Sequence, residues 1–389
     1  MPVELKGMTW AHSRGYSSIV AVSQRFEELH PDIKLIWEKR SLADFENQPV
    51  GYLAERYDML ILDHPWMGFG AASGVLHHLE QLLPPAFLAD QAAHSTGASF
   101  QSYTMDGHQL ALPIDAATPI AIYRQDLMER PDHSLPKTWA ELLQLAKQGG
   151  VIVAAAPLYT LIDFFMLCST IVGDTDELYR DEIAPAAVMR EALEQQREVL
   201  SHCDPIVFNI NPIQLYEIMS GDQNRYTYCP FVYGYSNYCR PGYSPHRLKA
   251  ADVVTYQGRM LRTILGGTGL AVSSRCKHLS EVAAFCQYAL SEEIQKTVYF
   301  DAGGQPGYRT AWLDPAVNRR SNGFFQDTLA TIEHAAMRPR YNGYLHLQDN
   351  GGALLREYLM SGRDLSGTVE RLNALYRASR APRCAHENA

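Results

Sequence analysis

The sequence predicts an α/β fold built from doubly wound layers, and three observations carry that reading. The first 62 residues alternate strand, helix, strand, helix, strand. The third of those strands, Tyr57-Asp-Met-Leu-Ile-Leu62, is nearly all apolar, as strands covered on both faces of a parallel sheet are. The chain has 389 residues, enough for two lobes at roughly 150 residues per domain.

The elements follow in order. Residues 3–10 form a short extended stretch. Ile19, Val22, Phe26 and Leu29 then recur at helical spacing, and Pro31 stops that helix because the residue before a proline avoids helical geometry. Residues 33–37 are the second strand. A helix is expected over 44–56, with Phe45, Leu53 and Tyr52 inward. Residues 107–113 are extended, and 120–123 begin a new strand. Thr138-Trp-Ala-Glu141 is a capping box, and Gly149-Gly150 ends the helix it starts. A strand is expected over 151–156, with helices over 161–172 and 186–200. Gly266 to Val272 reads as a strand with a glycine break, and the chain beyond 280 is mostly helical.

Composition narrows the function classes. Lys and Arg number 34 and Asp and Glu 43, a formal charge of −9. An acidic chain has no global electrostatic reason to bind nucleic acid or anionic lipid. No run of 18 apolar residues occurs, so no spanning helix is expected. The opening Met-Pro-Val-Glu-Leu-Lys-Gly-Met-Thr-Trp has neither a basic nor an apolar leader, so no secretory signal is expected in this sequence. Seven cysteines would leave a disulfide framework one over. Buried free thiols are expected, with Cys229 and Cys239 the one candidate pair.

Catalytic signatures are missing from the pattern. There is no Gly-x-x-x-x-Gly-Lys-Ser/Thr, no His-Glu-x-x-His and no Gly-x-Ser-x-Gly. Ser134-Leu-Pro-Lys137 and Ser274-Arg-Cys-Lys277 lack the companion motifs that would make them catalytic. Adjacent side chains diverge, so His77 and His78 are not expected to share a metal. Asp63-His64 reads as a strand-end turn rather than an acid–base pair. No catalytic residue, metal or cofactor is expected.

Six motifs in order resemble the extracellular solute-binding proteins of ABC importers, in their family 1, sugar-type branch. They are Leu110-Ala-Leu-Pro-Ile-Asp-Ala-Ala-Thr-Pro-Ile-Ala-Ile-Tyr-Arg-Gln-Asp-Leu127, Pro136-Lys-Thr-Trp-Ala-Glu-Leu-Leu143, Gly266-Gly-Thr-Gly-Leu-Ala-Val-Ser273, the helix pair over 283–295, Gly303-Gly-Gln-Pro-Gly-Tyr-Arg309 and Arg338-Pro-Arg-Tyr-Asn-Gly-Tyr344. The resemblance implies a periplasmic-binding-protein-like type II fold, two doubly wound α/β lobes joined by hinge crossings. Lobe one would be 1–115 plus 258–307, and lobe two 116–257 plus 308–389. It also implies a monomer that captures a small polar solute, a carbohydrate or sugar acid, between the lobes and delivers it to ABC permease subunits. Its compartment would be periplasmic or extracellular. A cytoplasmic ligand-sensing protein or enzyme on the same clamp is the alternative.

Sugars have polar edges and C–H faces, so rings that stack and planar groups that hydrogen-bond are the expected ligand contacts. Tyr226-Thr-Tyr-Cys-Pro-Phe-Val-Tyr-Gly-Tyr-Ser-Asn-Tyr238 packs five tyrosines and a phenylalanine into 13 residues. From it Phe231, Tyr233 and Tyr235 are ligand candidates. Trp10, His12 and Arg14 follow the first strand, and Asp63 and Trp66 the third, where open α/β sheets bind ligands. Asp115 would accept hydroxyl protons. Arg14 beside a helix start would suit an anion. The motifs add Gly267, Tyr308 and Arg309.

Overall fold

A computed structural model describes residues 2–128, 134–173 and 177–381. Twelve strands are present among these residues: β1 (Val3–Trp10), β2 (Ile33–Arg40), β3 (Met59–Leu62), β4 (Thr104–Met105), β5 (His108–Gln109), β6 (Ala111–Ala117), β7 (Pro119–Tyr123), β8 (Tyr228–Tyr233), β9 (Lys249–Ala251), β10 (Thr255–Tyr256), β11 (Arg259–Met260) and β12 (Gly266–Val272).

The larger sheet has the order β2-β1-β3-β12-β6. β1 runs parallel to β2, from Val3 opposite Ile33 to Trp10 opposite Arg40, and parallel to β3. The alternation of the first 62 residues therefore emerges as expected. β12 enters antiparallel to both β3 and β6, so the sheet is mixed. The smaller sheet, β8-β7-β9, is antiparallel. The strand expected over 151–156 makes one parallel bridge, Val151 to Tyr228. Its next donors diverge, Ile152 N–H to the Tyr228 carbonyl and Ala155 N–H to the Val207 carbonyl, before Pro157 opens a helix.

Helix Ser18–Leu29 buries Ile19, Val22 and Phe26 against the larger sheet, but Leu29 is 50% exposed, because the chain turns away at His30. The helix expected over 44–56 is two, Leu42–Asn47 and Val50–Ala54, since Pro49 cannot continue the first. Thr138 and Glu141 form the expected reciprocal cap of helix Trp139–Lys147. Gly149 and Gly150, at φ of +81° and +89°, turn the chain out of it.

Three sets of apolar side chains follow, one of which, with Met8, Leu60, Leu62, Phe69 and Tyr103, covers a second face of the larger sheet. Leu5, Phe26, Trp37, Ile61, Leu112 and Phe285 pack around the larger sheet. Ile122, Leu142, Phe165, Leu193, Tyr228 and Leu355 belong to the core around the smaller one. The molecule is bilobal. The chain passes from one sheet to the other at Thr118, between β6 and β7, returns just before β12, and crosses a third time after Tyr299, since Trp312, Phe325 and Leu355 belong to the core around the smaller sheet. At the first two crossings Thr118 and Thr263 join their hydroxyls at 2.7 Å, and Thr118 Oγ1 lies 3.3 Å from the Ile264 carbonyl. No helix among the described residues is long and apolar enough to cross a membrane. Cys168, Cys203, Cys229, Cys239, Cys276 and Cys286 are free thiols, so the candidate pair Cys229 and Cys239 is not bonded; Cys384 lies outside the described residues.

Candidate functional site

A cleft lies where the carboxyl ends of β1 and β3 face the smaller sheet. β1 delivers Trp10, and the turn beyond it delivers Arg14. Helix Leu42–Asn47 supplies Phe45 and Glu46, and the turn after β3 supplies Asp63 and Trp66. The opposite wall carries Tyr159, Tyr233, Tyr235, Arg338 and Gln348. Gly266, Gly267 and Thr268 of β12 form its back. A Cβ on Gly266 would lie 2.5 Å from the Tyr233 ring, so glycine lets that ring reach the strand. Gly267, at φ +92°, leaves no room for a Cβ beside the Asp115 carbonyl, 2.4 Å away.

Polar groups cross the cleft in pairs. Arg338 Nη2 donates to Asp63 Oδ2 at 2.5 Å, and Arg338 Nη1 to Gln348 Oε1 at 3.1 Å. Burial works against the Asp63 charge, but Arg338 and then His64 outweigh it and hold the carboxyl well below the usual range. Asp63 Oδ1 also accepts the His64 N–H at 2.8 Å, which is the self-satisfying turn expected of this dipeptide. Burial holds His64 neutral, its pKa lowered to about 4.

Tyr159 donates to Glu46 Oε1 at 2.7 Å. Burial pushes Glu46 up to about 7 despite that bond. Arg14 Nε donates to Asp115 Oδ2 at 2.7 Å, a second bond joins Nη2 to Oδ1, and Nη1 donates to the Gly234 carbonyl at 2.7 Å. The guanidinium also lies 4.7 Å from the Tyr235 ring centroid.

Seven of the twelve sequence candidates line the cleft: Trp10, Arg14, Asp63, Trp66, Tyr233, Tyr235 and Gly267. Five do not. Asp115 is fully buried behind the wall, its carboxylate taken by Arg14. His12 accepts the Arg14 N–H on Nδ1 at 3.0 Å and sets its ring edge-on to Tyr235. Phe231 stacks parallel to Trp139 in the core. Tyr308 donates to Asp90 and stacks on His94. Arg309 pairs with Glu333. The expected anion role of Arg14 also fails, because its guanidinium is already committed to Asp115. Tyr235 lies beyond the end of β8, so it and Tyr233 share the cleft without sharing a strand.

Glu46, Tyr159 and Gln348 escaped sequence reasoning, Phe45 was read only as an inward helix residue, and Thr268 and Arg338 only as parts of motifs. Four cleft atoms are buried without a protein hydrogen-bond partner: Trp10 Nε1, Tyr233 OH, Thr268 Oγ1 and Arg338 Nε. Buried polar groups of this kind normally find a partner, so a guest with several oxygens fits them. Among the described residues, no group of three metal-ligating side chains lies in the cleft.

Residues 10–167 match the family model of the bacterial extracellular solute-binding proteins. The maltose-bound T. maritima MalE3 superposes with a TM-score of 0.82 at 18% identity, covering 97% of this chain and 99% of that one. A ribitol complex of an ABC transporter solute-binding protein from Agrobacterium radiobacter gives 0.80 at 18% identity, covering 97% and 100%. This chain has the solute-binding-protein fold. The expected resemblance to that family is borne out as a family match over residues 10–167 and a shared fold. A maltotriose-binding protein of Pyrococcus abyssi is 25% identical over 133 residues, 33% of this chain; the match spans about a quarter of that relative's length (26%).

Proposed function

We propose that this protein is the solute-binding component of an ABC importer and that it holds a small, uncharged, hydroxyl-rich solute, a sugar or polyol, in the interlobe cleft. The observation that carries this reading is the set of four unpartnered polar atoms, Trp10 Nε1, Tyr233 OH, Thr268 Oγ1 and Arg338 Nε, set among the rings of Trp10, Trp66, Tyr233 and Tyr235. Rings cover the C–H faces of a sugar, and the open donors meet its oxygens. Charge argues for a neutral guest over a sugar acid. The cleft guanidiniums of Arg14 and Arg338 each already hold a carboxylate. A guest anion would compete with Asp115 or Asp63 for them.

The reading makes the two lobes a clamp, with the crossings at Thr118, around Thr263 and between Tyr299 and Trp312 as hinges. The Asp63–Arg338 and Glu46–Tyr159 bonds join the walls in this closed arrangement. The protein then binds without turnover, outside the cytoplasmic membrane, and presents the closed form to permease subunits.

A thermal-shift screen over neutral sugars, polyols and sugar acids tests it. A ligand at 100 times its dissociation constant adds roughly 2.7 kcal/mol. Neutral sugars or polyols are expected to raise the melting temperature, with calorimetry giving one site per chain. A response confined to sugar acids, or enzyme-dependent conversion of a hit, would overturn the reading.

A further inference from the structure

Away from the cleft, His78, Glu80 and His108 bring three ligand atoms within 4.8 Å of one another. His78 leads into the single turn Leu79–Gln81, which contains Glu80, and His108 begins β5 of the β4–β5 hairpin. The two imidazoles stack with centroids 3.8 Å apart and planes 19° from parallel. Glu80 Oε1 lies 2.5 Å from His108 Nδ1, and Glu80 Oε2 accepts the Gln109 N–H at 3.3 Å.

We propose that His78, Glu80 and His108 form a binding site for a divalent first-row transition-metal ion of the zinc type. The donor set is the first argument. Two imidazole nitrogens and one carboxylate oxygen suit Zn²⁺, Ni²⁺ or Cu²⁺, whereas Mg²⁺ and Ca²⁺ take oxygen shells. Spacing is the second. The ion takes the place of the proton between Glu80 and His108, and the N···O gap opens to about 3.3 Å, the edge of a tetrahedron with bonds of about 2.0–2.1 Å. Rotation of the His78 ring out of its stack on His108 brings its nitrogen, already within 4.8 Å of the other two ligand atoms, to the same distance.

Support around the ligands is the third argument. The Gln109 N–H holds the far carboxylate oxygen, which fixes the orientation of Glu80. His78 and His108 are half-buried and Glu80 is at the surface, so the ion has an entry path and solvent completes its shell. Occupancy would staple the β4–β5 hairpin to the Leu79–Gln81 turn. The short Glu80–His108 contact holds two of the three side chains together before the ion arrives, which lowers the ordering cost of binding.

The test uses the full chain, freed of metal with a chelator and kept reduced. Zn²⁺ and Ni²⁺ are titrated by calorimetry, and Co²⁺ is followed by visible absorption. The wild type is expected to show a site that His78→Ala, His108→Ala and Glu80→Gln each weaken at least tenfold. Zn²⁺ should raise its melting temperature and leave that of the folded His78→Ala/His108→Ala variant unmoved, while Co²⁺ bound to the wild type shows tetrahedral d–d bands. Cleft-ligand affinity should stay unchanged in the variants. If the double variant, folded by circular dichroism, binds Zn²⁺ with wild-type stoichiometry and affinity, the proposal is wrong. It is equally wrong if the wild type takes up no Zn²⁺ at millimolar concentration.

Discussion

Arg14 and Asp115, 101 positions apart in sequence, form a two-pronged ion pair in which both side chains are almost fully withdrawn from solvent. The same guanidinium reaches the Gly234 carbonyl beyond β8. One arginine therefore ties the turn after β1 to β6 and to the tyrosine-rich segment. Removing one partner of a buried pair leaves the other charged and unmatched, at a cost of about 3–5 kcal/mol. Asp115→Ala should lose about that much in urea unfolding. Arg14→Met/Asp115→Leu should lose clearly less than Asp115→Ala. Equal losses would mean that packing rather than charge governs the site.

Tyr233 should carry affinity by two separable means. Its hydroxyl is one of the unpartnered cleft atoms, and its ring rests against Gly266. Tyr233→Phe removes the hydroxyl alone, and Tyr233→Ala removes the ring as well, worth about 1–2 kcal/mol of stacking. Calorimetry should show Tyr233→Ala weaker than wild type by about tenfold or more, with Tyr233→Phe between them. Gly266→Ala drives a methyl into the ring and should weaken binding while β12 stays paired. Unchanged affinity in folded Tyr233→Ala would remove this tyrosine from the ligand contacts.

Glu46 gives the closed form a pH dependence. Burial raises its pKa from about 4.5 to about 7, with Tyr159, Asp63 and Arg338 the groups that act on it. A raised carboxyl pKa favours the protonated form in the folded, closed state. The stability it contributes is full below about pH 4.5 and is lost as pH rises through about 7. The melting temperature of the wild type, minus that of Glu46→Gln, should therefore fall between pH 5 and pH 8. A flat difference would show that Glu46 is solvated in the ligand-free protein.

Alternation and the all-apolar third strand made the larger sheet legible, because those signals are local. The direction of β12 was not legible, since it enters the sheet from about 200 residues downstream of β3. Trp10, Asp63 and Trp66 were found because they follow strand ends, where position implies access, and Tyr233 because its segment is dense in tyrosine. Asp115 also sits near a strand end, yet Arg14 consumes it, and nothing in either local stretch announces that pairing. Tyr308 and Arg309 came from motif position alone, and their partners Asp90 and Glu333 show them serving the scaffold. Glu46 and Tyr159 lie in unremarkable helices and gain a role only where the two walls meet.

The hydroxyl contact between Thr118 and Thr263 has a mechanical meaning. Two unlinked connectors would let the halves rock, twist and slide independently. A bond between these two of the three connectors makes them turn as one axle, which narrows the motion towards rotation about a single line. Bonds near that axle need not break as the halves separate, whereas Asp63–Arg338 and Glu46–Tyr159, which span the gap, must. The work of opening is then concentrated in those spanning contacts. Thr263→Val, which leaves the lining of the cleft intact, should broaden the distribution of opening angles without shifting its mean.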